Sequence, residues 1–412
     1  METASIFSSS HPPSSPPMRF EEVVKRFQTF RNIATEEPIE EEKLRTLLAN
    51  KASPICYDRF EPSGRMHIAQ GLMKVINVNK LTSSGFRVKI VIADCFTQLN
   101  NKRGGDLKKA RVVGEYFKEI CKAVGMMNNK VEFLWSSEVT NAKPDKYWPL
   151  VIDIARIYKV RDAQTDELST PETDKPSTPE TDKLTDKLST PETNKLTDKP
   201  STPETDKLTD KLSTAETDKL STPETDKPST AEALYPCVQC ADILFLEADI
   251  CLLGMDQREV NKLARNYYED KTPVILSQHM LPGLKQGEES MSKSDLAIFM
   301  EDEEAQVNVK IKKAYCPPKI VEGNPCLEYV EHIVLPWFDE FAVERREEHG
   351  GDKTFKRIEE IVADYESGEL HPEDLKKGLT KALNRILQPV RDHFKTDAHA
   401  KSLLRQIKAY KK

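Results

Sequence analysis

Residues 57–70, Tyr57-Asp58-Arg59-Phe60-Glu61-Pro62-Ser63-Gly64-Arg65-Met66-His67-Ile68-Ala69-Gln70, decide the fold. The apolar run Pro54-Ile55-Cys56-Tyr57 ends a strand, Glu61-Pro62-Ser63-Gly64 makes a turn, and a helix opens near His67. Strand, tight turn and helix N-terminus form a ready anion site. The first backbone N–H groups of a helix lack partners, and its dipole favours negative charge there. Far downstream, Ser290-Met291-Ser292-Lys293-Ser294-Asp295 sets a lysine among small hydroxyl residues on a loop, which suits contact with phosphates.

Working outward, near-continuous apolar runs predict strands at Ile55–Tyr57, Val88–Ile92, Val131–Trp135 and Pro273–Leu276. Helical spacing covers 18–50, His67–Leu81, Asp106–Gly125, Ala231–Leu246 and Asp256–Tyr268. Buried strands alternating with helices predict an α/β protein, a Rossmann-like doubly wound parallel sheet. From Glu303 onward the strand patterns vanish. Amphipathic segments at Ala305–Tyr315, Cys326–Phe341 and Asp374–Val390 predict an all-helical C-terminal domain.

The 412 residues suffice for two ordered domains. No apolar run approaches the ~20 residues needed to cross a bilayer. Residues 1–17 are rich in Ser and Pro without Lys or Arg, so a disordered tail is expected rather than a targeting signal. The eight cysteines sit within apolar segments and fit a reducing cytoplasm. Cys237-x-x-Cys240 lacks a second ligand pair and is expected as buried helix cysteines, not a metal site. The net charge of −7 argues against non-specific nucleic-acid binding by the whole chain. From His371 to Lys412, however, eleven Lys/Arg face four Asp/Glu, which one RNA-contacting surface, or a solvated basic tail over 397–412, would explain.

Residues 169–230 repeat the unit Ser-Thr-Pro/Ala-Glu-Thr-Asp/Asn-Lys, beginning at 169, 177, 189, 201, 213 and 221. Without aromatics or an apolar set, such a segment cannot bury enough surface to offset the entropy of ordering, so a disordered insertion is expected. It separates a first half of the α/β domain, 18–168, from a second, 231–302; the helical domain spans 303–396.

Within Leu234–Asp242, Tyr235, Gln239 and Asp242 fall at i, i+4 and i+7 on one helical face. A polar stripe on an apolar helix suggests a pocket lining, a solvated edge being the rival. In Leu370–Leu375, Asp374 falls near a helix start, where His371-Pro372 offers an imidazole for stacking and Asp374 an acceptor for a base edge.

Taken together, these segments resemble the class I aminoacyl-tRNA synthetases. His67-Ile68-Ala69-Gln70 is similar to their HIGH signature, with Gln70 in place of the second histidine, and Ser290–Ser294 to KMSKS. The Y-x-x-x-Q-x-x-D helix narrows the resemblance to tyrosyl-tRNA synthetases of archaeal/eukaryotic type, in plant-like form. The resemblance implies that Tyr57 and Asp242 bind a phenol hydroxyl, with Glu61 beside the substrate. It gives Tyr235, Gln239 and Gln257 the α-amino group. His67, Gln70 and Lys293 would act in catalysis, and His67, Gly254, Asp256, Met291, Ser292, Lys293 and Ser294 would bind ATP. His349, His371, Pro372 and Asp374 would read the anticodon. It further implies ATP with Mg²⁺ as co-substrate, no prosthetic group, tRNA(Tyr) and L-tyrosine as partners, no membrane, a cytoplasmic setting and a homodimer.

Three departures stand out. Arg59 occupies a glycine position of Y-x-G-F-E-P-S-G, and Ser290 replaces the first lysine of KMSKS. The repeats replace a basic helix that helps build the family's dimer interface. The implied function is a tyrosine–tRNA ligase. The alternative is a catalytically weakened paralogue with an RNA- or protein-binding role.

Overall fold

The computed structural model describes residues 19–31, 33, 40–100, 105–126, 128–158, 229–268 and 272–410. The side chains of Asp256, Lys293 and His349 lie outside that description, as do the expected tail over 1–17 and the repeats up to 228. The elements, in order, begin with α1 (Phe20–Arg31), α2 (Glu41–Asn50), β1 (Ile55–Phe60), α3 (Ile68–Ser83) and β2 (Arg87–Ile92). Next come α4 (Phe96–Leu99), α5 (Leu107–Ala123), β3 (Val131–Trp135), α6 (Ser136–Ala142) and α7 (Pro144–Ile157). After the undescribed stretch follow α8 (Thr230–Phe245), β4 (Ile250–Gly254), α9 (Arg258–Tyr268) and β5 (Val274–Gln278). The C-terminal part holds α10 (Glu304–Lys313), α11 (Pro325–Tyr329), α12 (Leu335–Phe338), β6 (Phe341–Val343) and β7 (Lys353–Phe355). It closes with α13 (Ile358–Ser367), α14 (Pro372–Thr396) and α15 (Ala398–Ala409).

The five long strands pair in parallel in the order β3-β2-β1-β4-β5. This is the doubly wound arrangement, and its strand order reverses between β1 and β4, where ligands bind beyond the carboxyl ends. Alternate strand residues feed two cores, because successive side chains point to opposite faces. Cys56, Phe60, Ile90 and Leu252 join α1, α2, α3 and α5 on one side. Tyr57, Val91, Cys251 and Leu253 join α7, α8 and α9 on the other. Cys237 and Cys240 are buried on α8 within that second core.

Several expectations need correction. The 18–50 segment is two helices, and β4 was not anticipated. Ile250–Leu253 is a short apolar run just after an apolar helix, and periodicity alone cannot separate buried strand from helix there. Helices α6 and α7 were likewise missed. The C-terminal part is not all helical: β6 and β7 form an antiparallel pair, each too short to display an alternating pattern. The Cys326–Phe341 helix is a run in which a π-helical turn, Val330–Val334, joins α11 to α12. Asp339, at φ 59°, ends it in the left-handed region.

Within the expected basic tail over 397–412, Ala398–Ala409 form α15, capped by the Asp397 side chain on the Ala400 amide. It packs on α5 of the catalytic half, burying Ala400, Leu403 and Ile407, and His393 Nε2 meets Glu119 Oε2 at 2.5 Å nearby. Leu403→Ala is expected to lower unfolding free energy by about 2–3 kcal/mol in a denaturant titration, the usual cost of truncating a buried leucine. Among the described residues no helix is long and apolar enough to cross a membrane.

Candidate active site

Helix α3 begins with a capped N-terminus. His67 is extended (φ −84°, ψ 155°) and its Nδ1 accepts from the Gln70 amide at 3.2 Å. Nδ1 as acceptor leaves any ring proton of the neutral imidazole on Nε2. Burial lowers the His67 pKa to about 4, so the ring is neutral at pH 7. The same turn is fastened to the segment that follows the Ser290–Ser294 loop. Ile68 N donates to Ile298 O at 2.8 Å and Met300 N to Met66 O at 2.9 Å. Arg65 bonds Glu301 at 2.5 Å and Asp302 at 2.8 Å.

These elements border a cleft of about 270 Å³ at the switch point, lined in part by Glu61, His67, Gln70, Tyr235, Gly254, Gln257, Ser290 and Ser292. The predicted nucleotide residues thus divide. The Met291 side chain is buried in the core rather than at the cleft, and Ser294 Oγ accepts from the Leu296 amide. Asp256 and Lys293 contribute backbone only to the description.

Beside the cleft lies the pocket predicted from α8. Tyr57 is fully buried and Asp242 is 1% exposed. Asp242 Oδ1 accepts from Tyr147 OH at 2.5 Å, while Asp242 Oδ2 and Tyr57 OH are buried with no hydrogen-bond partner. Burial pushes the Asp242 carboxyl up to about 7, partly offset by the Tyr147 bond and the Arg59 charge. Gln239 Nε2 bonds Gln257 Oε1, and Tyr235 OH donates to Glu61 Oε2 at 3.1 Å. Asn100 donates to the other Glu61 oxygen at 2.8 Å.

Arg59 enters this pocket, as strand alternation with Tyr57 requires. Its Nη1 lies 2.5 Å from Tyr235 OH and donates to Gln239 Oε1 at 2.9 Å. Its guanidinium lies 4.0 Å from the Phe96 ring centroid and 4.8 Å from that of Tyr235. Arg59 Nε and Nη2 are buried without partners. Burial opposes the Arg59 charge, but Tyr235, Tyr57 and Glu61 more than compensate and hold it protonated. Asp58, on the opposite face of β1, pairs instead with Lys74 of α3.

Sequence reasoning missed Lys74, Tyr147 and Phe96. A lysine inside Leu72-Met73-Lys74-Val75-Ile76 was a visible signal; nothing local distinguished the other two.

A second polar surface joins β6 to the start of α14. His371 caps α14, its Nδ1 accepting from the Glu373 amide at 3.2 Å, and Pro372 is the first helical residue. Asp374 is nearly buried, 3.8 Å from Lys377. His371, Asp374 and Lys377, with Arg345, Arg346 and Lys381, line a groove of about 600 Å³. His349 lies in the turn Glu347–His349 between β6 and β7.

With this geometry established, known proteins place the chain. A family described as tRNA synthetases class I (W and Y) matches residues 49–169 and 208–388. The cytoplasmic tyrosine–tRNA ligase 1 of Arabidopsis thaliana is 61% identical, over 100% of this chain and 95% of that protein. The Leishmania major tyrosyl-tRNA synthetase in complex with tyrosinol superposes with a TM-score of 0.73 at 35% identity, over 95% of this chain but 52% of that one. The Archaeoglobus fulgidus tyrosyl-tRNA synthetase complexed with L-tyrosine gives 0.70 at 28% identity, over 90% of this chain and 99% of that one. The chain belongs to the tyrosyl-tRNA synthetase family of class I aminoacyl-tRNA synthetases.

Proposed function

We propose that this chain is a cytoplasmic tyrosine–tRNA ligase, which activates L-tyrosine with Mg²⁺-bound ATP and esterifies the 3′ end of tRNA(Tyr). The observation that carries the reading is the pair of unpartnered buried atoms, Tyr57 OH and Asp242 Oδ2. A buried polar group without a partner costs about 1–3 kcal/mol, and a phenol hydroxyl, at once donor and acceptor, satisfies both. Tyr235, Gln239 and Gln257 then take the α-ammonium.

The cleft at the α3 N-terminus takes ATP. The tyrosine carboxylate oxygen attacks the α-phosphorus, forming the new P–O bond as the bond to pyrophosphate breaks. The protein's part is to align two anions and stabilise charge on the phosphate oxygens. Neutral His67 donates through Nε2–H, and Lys293 adds positive charge from its loop. A ribose hydroxyl of the tRNA then displaces AMP from the adenylate. The groove at His371, Pro372 and Asp374, with His349 nearby in the chain, receives the anticodon. Exposed Trp148, Ile152 and Ile157 on α7 support a homodimer.

Tyrosine-dependent exchange of pyrophosphate into ATP tests the reading. Exchange with tyrosine and not phenylalanine is expected, and His67→Ala should slow it about a hundredfold, the usual cost of losing one transition-state donor, with tyrosine affinity unchanged. Retained tRNA binding without any exchange would instead identify the weakened paralogue.

A further inference from the structure

At the edge of the nucleotide cleft, whose lining includes His279, three metal-ligating side chains converge from two segments, and no step derived above uses them as a group. His279 follows β5 on the segment leading to the Ser290–Ser294 loop. Glu328 lies in α11, and His332, four residues on, lies in the π-helical turn. One donor atom from each of the three lies within 4.8 Å of the others. His279 Nε2 and Glu328 Oε2 are 3.0 Å apart. The two imidazole rings lie 4.3 Å apart between centroids, inclined at 39°. A fourth group stands close by, with Glu331 Oε2 3.9 Å from His332 Nε2. We infer that His279, Glu328 and His332 form a site for one divalent transition-metal ion of the zinc class, with Glu331 or water completing the coordination.

The chemistry favours a cation over hydrogen bonding alone. Two neutral imidazoles packed ring against ring each offer a nitrogen donor within 4.8 Å of the other and of a Glu328 oxygen. Glu328 and Glu331, one helical turn apart, repel each other. A single dication would draw these donors together and offset the repulsion between the two carboxylates. Imidazole with carboxylate is a donor set suited to zinc, cobalt or nickel rather than magnesium or calcium. Bonds of about 2.0–2.1 Å at tetrahedral angles set donors about 3.3 Å apart, so the His279–Glu328 spacing already fits. Small rotamer adjustments bring in His332.

The scaffold beneath the site is fixed. The Asn324 side chain and Pro325 start α11, and Tyr329 OH donates to Pro282 O at 3.0 Å, tying that helix to the His279 segment. Single π turns within helices are rare and often sit at functional positions; this one carries His332. A bound metal would brace the segment that delivers the Ser290–Ser294 loop.

The test uses untagged full-length protein, stripped with a chelator and titrated calorimetrically with zinc chloride, with cobalt(II) spectra in parallel. One equivalent should bind, at least tenfold more weakly in both His332→Ala and Glu328→Gln, and unchanged in His393→Ala, which alters the separate Glu119–His393–Asp397 cluster. Cobalt should give visible d–d bands without thiolate charge transfer. Two variants guard against misfolding of either, and each is checked by its melting curve. Absence of saturable binding, affinity insensitive to both variants, loss in His393→Ala instead, or a thiolate band placing the metal on cysteines would each overturn the site.

Discussion

Arg59→Gly is expected to tighten tyrosine binding at least tenfold, about 1.4 kcal/mol per decade. The guanidinium is held by Tyr235 OH and Gln239 Oε1, the groups proposed above to hold the substrate's ammonium. Arg59 is thus an internal cation in a cation subsite, and tyrosine must expel it. Expulsion is feasible because Nε and Nη2 are buried without partners, so water solvates them better than the pocket does. Against it stand the cation–π contacts with Phe96 and Tyr235, each worth up to about 2 kcal/mol when desolvated. Glycine removes the competitor and costs roughly 0.5–1 kcal/mol of strand stability. Equilibrium dialysis with labelled tyrosine should show the lower Kd, with the KM for ATP unmoved. An unchanged tyrosine Kd would mean that Arg59 leaves the pocket at no cost.

Asp242→Ala should collapse selection of tyrosine over phenylalanine. Sites built to hydrogen-bond a substrate hydroxyl reject the analogue lacking it by ~10⁴–10⁵. Without the carboxylate, the ratio of kcat/KM for the two amino acids should fall by about a hundredfold or more, with the KM for ATP little changed. Equal loss for both amino acids would remove Asp242 from hydroxyl recognition. The same group has a signature in the free protein. Burial holds its pKa near 7, above the usual carboxylate value near 3.9, so the folded chain keeps a proton that the unfolded chain has lost. Its stabilising contribution is full below about pH 4 and disappears as pH rises through 7. Urea titrations of Asp242→Asn should lack that slope.

Much of this site was legible because its parts are local. The α8 stripe follows from helical spacing, and the inward aim of Arg59 follows from the two-residue repeat of β1. The anion-binding turn before α3 follows from a few adjacent residues. The rest depends on pairing across the chain. Tyr147 matters only because α7 packs against α8 and brings it to Asp242, and Phe96 only because α4 does the same for Arg59. Strands β6 and β7 have three residues each, too few for an alternating pattern. The polar, basic 397–412 segment hid a helix whose buried positions are Ala400, Leu403 and Ile407.

The fastening of residues 298–302 to Arg65, Met66 and Ile68 limits how the Ser290–Ser294 loop can travel. A strip clamped along one edge cannot slide, any more than a page can on its binding. Gly287, at φ 74° with nothing within 4 Å of where a side chain would begin, lies on the other side, where Gly283 N donates to Glu288 O at 2.9 Å and Tyr315 N to Leu284 O at 2.7 Å. Because these attachments already restrict the backbone, less conformational entropy is left to lose when a ligand orders the loop.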